Sequence, residues 1–103
     1  MTALVLAALA ALAAQTPTVT IDDFAYKPAT LTVRAGTTVR FVNRDGEAHT
    51  VTGPGGVFDS GGLDTAGVWT HRFDKPGRYR YFCALHPYMK GTIVVIAPAG
   101  SGR

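Results

Sequence analysis

The stretch RYRYFCALHPYMKGTIVVIA, residues 78–97, contains two strand-like runs joined by a short loop. Apolar and polar side chains alternate through the first run, so Tyr79, Tyr81 and Cys83 share one face. The second run, GTIVVIA, restarts at Gly91. Alternation at period two predicts half-buried antiparallel strands. Between them CALHPYM, residues 83–89, holds the only cysteine, one of three histidines and one of two methionines. Cys83, His86 and Met89 are each three positions apart, which breaks the strand period, so they cannot share a strand face. A tight loop, helped by Pro87, would converge them on one point.

The same alternation extends upstream. TVTIDDF sets Val19 and Ile21 against threonines, TLTVR sets Leu31 and Val33 inward, and TVRFVN does so with Val39 and Phe41. HTVT, residues 49–52, predicts a short strand running into the loop GPGG. VWTHRF places Trp69, His71 and Phe73 on one face, and Lys75-Pro76-Gly77-Arg78 has the make-up of a type II turn. GPGGVFDSGGLDTAG between them is loop. No window outside the N-terminus has a helical period. The fold class expected is all-β: a single-domain Greek-key β-sandwich of seven to eight strands.

Composition agrees. The chain has 103 residues, 47% hydrophobic and 17% charged, which suits one small globular domain. MTALVLAALAALAAQ precedes the first charged side chain, Asp22. Its apolar part is too short for a bilayer span, which needs about 20 residues. Small residues around Ala13 and Ala14 suit signal-peptidase cleavage, although no Lys or Arg precedes the run. Residues 1–14 are therefore expected to be a signal peptide, 15–97 the domain and 98–103 a disordered tail. A membrane tether or an Ala-rich helix is the alternative for residues 1–14. Outside the cytoplasm a lone thiol is exposed to oxidation, and burial or a metal would protect Cys83. The net charge of +3 comes from basic residues scattered along the sequence, such as Arg34, Arg40, Arg72, Arg78 and Arg80. They suggest solvated strand faces rather than a nucleic-acid stripe.

Three ligands do not complete a metal shell. His49 is the obvious fourth. One thiolate, two imidazoles and a thioether are a poor zinc set, because structural zinc sites draw on Cys and His. Two His and one Cys with a weak axial Met form a blue-copper electron-transfer site. Cu(I) is soft and accepts three ligands, while Cu(II) prefers more and harder ones. A site held between those preferences moves little when an electron comes or goes. His71, mid-strand between Trp69 and Phe73, is assigned to packing, as are Tyr79, Tyr81 and Trp69.

CALHPYMKG, with GRYRYFC before it and EAHTVT upstream, resembles the cupredoxins. The Cys-x2-His-x2-Met loop is similar to the amicyanin, pseudoazurin and plastocyanin group, and HPYM points nearest to amicyanin. The resemblance covers about residues 17 to 97. It implies one type 1 copper held by His49, Cys83, His86 and Met89, and no enzymatic activity. It implies a monomeric periplasmic or otherwise extracytoplasmic shuttle with transient redox partners, such as a c-type cytochrome or a dehydrogenase. No nucleic acid and no membrane span in the mature form are expected. His86 would be the ligand nearest solvent, ringed by Leu85, Pro87, Tyr88 and Pro54, and its protonation would raise the potential as pH falls.

Two positions depart from that pattern. Many relatives have Ser or Thr after the cysteine and Asn after the first histidine, side chains thought to tie the two ligand loops together. Here Ala84 and Thr50 stand there, so the tie is missing or replaced, although the Thr50 N–H can still reach the thiolate. Leu85 stands where close relatives carry proline, and its N–H is expected within reach of the Cys83 sulfur. A copper buffer or carrier is the main alternative function, and an interaction domain with a vestigial site is another. Catalysis would need further histidines beyond His71.

Overall fold

The computed structural model describes residues 16–98. The expected signal peptide and the tail beyond Pro98 lie outside them. Seven strands form two mixed sheets: β1 (Thr18–Asp22), β2 (Ala25–Lys27), β3 (Thr30–Arg34), β4 (Thr37–Asn43), β5 (Val68–Phe73), β6 (Gly77–Phe82) and β7 (Lys90–Ile96). One sheet has the order β2-β1-β4-β5 and the other β3-β7-β6. Among the described residues the only helical element is a single 3₁₀ turn, Pro54–Gly56.

The alternating side chains account for the sandwich. Val19, Ile21, Val39, Phe41 and Phe73 from the first sheet meet Val33, Tyr81, Ile93 and Val95 from the second, all buried in one cluster. Burying an apolar side chain of this size contributes about 1.5–3 kcal/mol, and this shared layer holds the sheets together. Cys83 and Met89 belong to the same cluster, so the core continues into the ligand loop.

Three expectations about the strands and turns need correction. Two strand pairs are parallel: β1 with β4, and β3 with β7. Alternation reports half-burial and carries no information on direction. Gly77 opens β6 at φ 157° and pairs with Val95, so it does not take the central position of a type II turn, where φ is about 80°.

HTVT does not form a strand. His49 exchanges backbone hydrogen bonds with Leu63, at 3.1 and 2.7 Å, and Thr52 exchanges them with Phe82, at 3.0 and 2.9 Å. Between them Ser60 N–H donates to the Val51 carbonyl at 2.9 Å, and Val51 N–H donates to Ser60 Oγ at 2.7 Å. The segment bonds in two directions at once, so only isolated bridges result. Its consequence is to bring His49 and the end of β6 together.

Candidate metal centre

The spacing of three has a backbone cause. His86 N–H donates to the Cys83 carbonyl at 3.2 Å, and Met89 N–H donates to the His86 carbonyl at 2.9 Å. These are two successive i to i+3 bonds. Cys83 N–H, at 3.2 Å from the Met89 carbonyl, closes the loop at its base. Cys83 follows β6 directly and Met89 immediately precedes β7, so a hairpin of the second sheet carries the whole loop.

His49 arrives from the β4–β5 connection. Its Nδ1 lies 3.6 Å from Cys83 Sγ, and His86 Nδ1 lies 3.7 Å from the same sulfur. The three ligand atoms all fall within 4.8 Å of one another. A metal about 2.1 Å from a nitrogen and about 2.3 Å from sulfur, at near-trigonal angles, separates N from S by about 3.7 Å. The trio therefore fits one ion. Cys83 and His49 have no solvent exposure, while His86 is half-buried. Met89 is buried at the loop's end, 2% exposed.

Neighbouring groups fix this trio. Asp45 Oδ2 lies 2.8 Å from His49 Nε2, which places the ring proton there and leaves the Nδ1 lone pair facing the sulfur. The Asp45 carboxylate also accepts from Asp23 N–H at 2.7 Å and Phe24 N–H at 2.9 Å. Burial alone would raise the Asp45 pKa, but the backbone donors of Phe24 and Asp23, with His49, hold it below its ordinary value. Asn43 shapes the loop: its Nδ2 donates to the carbonyls of Glu47 and Leu63, and its Oδ1 accepts from Asp45 N–H. Phe24 stands edge-on to both imidazoles, with ring centroids 5.1 Å from His49 and 5.0 Å from His86.

Asp45 and Phe24 were not anticipated from sequence. Asp45 left a trace, a carboxylate four residues before His49 in a loop headed by Asn43. Phe24 left none, because it reaches the site through the β1–β2 turn.

Thr50 N–H donates to Cys83 Sγ at 3.4 Å, as expected. The tie between the loops is present with its roles exchanged: Ala84 N–H donates to Thr50 Oγ1 at 2.8 Å. Thr50 Oγ1 also lies 2.8 Å from Thr52 Oγ1, which bonds Asp59 at 3.2 Å. The expectation for Leu85 fails. Among the described residues the sulfur's only backbone donor is Thr50, because the loop turns through His86 N–H and leaves the Leu85 amide unused. His71 stacks on Trp69 at 5.2 Å and packs against Phe58 and Phe73, outside the ligand trio. Its burial lowers the imidazole pKa, with Asp74 opposing in part.

Comparison with known proteins bears on this geometry. The cupredoxin-like domain family matches residues 1–95. Amicyanin-alpha of Methylorubrum extorquens is 37% identical over 68 residues, covering 61% of this chain and 57% of that protein. Plastocyanin of Scenedesmus fuscus is 34% identical over 83 residues, covering 68% of this chain and 85% of that protein. The solved Cu(I) structure of an amicyanin variant superposes with a TM-score of 0.75 at 28% identity, over 79% of this chain and 82% of that one. The chain spans less than two thirds of the amicyanins it matches, between 57% and 63% of their lengths.

Proposed function

The chain belongs to the cupredoxin-like family, and on that premise we propose that it is a blue copper electron carrier. His49, Cys83, His86 and Met89 would hold the metal. The observation that carries this reading is the placement of two imidazole Nδ1 atoms, 3.6 and 3.7 Å from one buried sulfur, on a loop closed by its own backbone. Copper held there supplies a one-electron couple.

The chain's own groups suit that task. Asp45 orients His49 by bonding its Nε2. Thr50 N–H donates to the sulfur and so draws some electron density from it. Phe24 shields the imidazole edges. Cys83 and Met89 are anchored in the sandwich core, so the ligand positions are fixed before metal arrives and need little rearrangement when the charge changes. His86 is the most exposed member of the trio, with Leu85 and Tyr88 beside it 57% and 69% exposed. Such a surface allows brief docking to a redox protein.

The full burial of Cys83 and His49 favours a carrier of electrons over a protein that hands its metal on. Among the described residues, the remaining histidine, His71, lies in an aromatic cluster, which supports a carrier rather than an enzyme. The uncharged, apolar make-up of residues 1–14 supports work outside the cytoplasm, most simply the periplasm. A c-type cytochrome and a dehydrogenase are the partner types proposed, with the protein acting as a monomer.

The test is the visible spectrum of the Cu(II)-loaded protein beside its Cys83→Ser variant. An intense blue band, absent in the variant, is expected. A pale spectrum that the substitution leaves unchanged would overturn the reading.

A further inference from the structure

The basic residues, scattered in sequence, are gathered by the fold. Arg34 on β3, Arg78 and Arg80 on β6, and Lys90 on β7 are all exposed. They sit at positions alternating with the buried Val33, Tyr81 and Ile93, so all four stand on the outer face of the second sheet. None of these three strands contains Asp or Glu. The chain's other six Lys and Arg are outnumbered by its seven Asp and Glu. Its whole positive excess therefore rests on one side of the sandwich. The ion pairs of the described residues are Asp45–His49 and Arg72–Asp74, so none of the four cations is neutralised.

This face has a built feature. A cleft of about 560 Å³ opens on it, lined by Arg80, Phe82 and Lys90, with Pro54 and Pro87 at the ligand-loop end. Phe82 pairs with Lys90 across the ladder, and Arg80 with Thr92. Arg80 and Lys90 are thus diagonal neighbours, about 7–8 Å apart at the backbone, flanking one aromatic ring. Like charges on such neighbouring positions repel, and an intervening carboxylate would relieve them both.

Resting on the electron-carrier reading, we propose that this basic face is a lateral docking surface for an acidic patch of a redox partner protein. Carboxylates would lie between Arg80 and Lys90, with apolar contact on Phe82, Pro54 and Pro87. Charge segregated on one side orients the approach as well as attracting it. The cleft's concave, part-apolar walls suit protein side chains better than a flat lipid surface.

The experiment is a titration of the Cu(I)-loaded, ¹⁵N-labelled full chain with hexaglutamate, followed by amide chemical shifts. Saturable shifts are expected at Arg80, Phe82, Lys90 and Thr92. Arg80→Glu with Lys90→Glu should weaken binding at least tenfold, while Lys27→Glu with Arg44→Glu, an equal charge change elsewhere, should alter it less than twofold. Equal weakening by both pairs, shifts spread over every cation, or no saturation would overturn the proposal. So would tighter binding to phosphatidylglycerol vesicles than to hexaglutamate, which would assign the face to a membrane. The blue band of the oxidised samples reports separately on copper. Its absence with the shift map intact would overturn the electron-carrier role and leave the acidic-partner surface standing.

Discussion

Asp45 and Cys83 hold opposite sides of one imidazole. Asp45 Oδ2 is 2.8 Å from Nε2 of His49, and Cys83 Sγ is 3.6 Å from its Nδ1. The ring is therefore set before any metal binds. Asp45 also fixes the β1–β2 turn, where Asp23 and Phe24 take φ of 54° and 55°, a left-handed region that such residues seldom enter. One buried carboxylate thus ties together the turn, Phe24 and His49.

Removing that carboxylate should destabilise the metal-free chain. Asp45→Ala leaves the amides of Asp23 and Phe24 without their acceptor and should cost about 2–3 kcal/mol at pH 7 in urea unfolding. The pH dependence has a definite sign. Asp45 binds its proton less readily folded than unfolded. Its stabilisation is complete above the unfolded carboxyl value of about 3.9 and is lost as pH falls through the lower folded value. Over that acid window the metal-free native chain should lose stability more steeply than Asp45→Asn. Parallel curves would contradict this.

Thr50→Val should loosen the tie between the two ligand loops. Valine keeps the shape but removes the acceptor for Ala84 N–H, at a cost of about 1–2 kcal/mol. The Ala84 amide should exchange with solvent faster, while Thr50→Ser restores protection. Unchanged exchange in the valine variant would show that the bond does not hold the loop.

Gly91 has no room for a side chain. A Cβ there would lie 2.3 Å from Tyr81 Cζ and 2.4 Å from its hydroxyl oxygen. Gly91→Ala should therefore cost about 2–3 kcal/mol, measured by urea unfolding. The loss should shrink in a Tyr81→Leu background, and simple additivity of the two would be the contrary result. Among the described residues the buried Tyr81 hydroxyl has no partner, so Tyr81→Phe should be neutral or stabilising by up to about 1 kcal/mol.

Leu85→Pro should leave the reduction potential nearly unchanged, since no Leu85 amide bond to the sulfur exists to be lost. A fall of more than about 60 mV by protein-film voltammetry, a tenfold change for one electron, would contradict that.

Much of the candidate site was legible because it is local. Cys83, His86 and Met89 lie within seven residues, and their spacing of three already implied a closed loop. His49 was legible once that loop was seen. The strand alternation gave the two buried faces, since burial at period two is a property of each strand alone. Features that arise between distant segments were not legible. The parallel pairing of β1 with β4 depends on topology rather than on either strand. HTVT has the composition of a strand, yet its bonds are divided between Leu63 and Phe82. Phe24 meets His49 and His86 only in the fold. Arg34, Arg78, Arg80 and Lys90 look dispersed along the chain and share one face only because β3, β7 and β6 are neighbours.

X-ray absorption at the copper edge of the copper-loaded full chain reports the atoms bound to the metal. One short sulfur and two imidazole nitrogens are expected around the copper, with the sulfur lost in Cys83→Ser. A shell of nitrogen and oxygen alone, or a sulfur that survives that substitution, would contradict it.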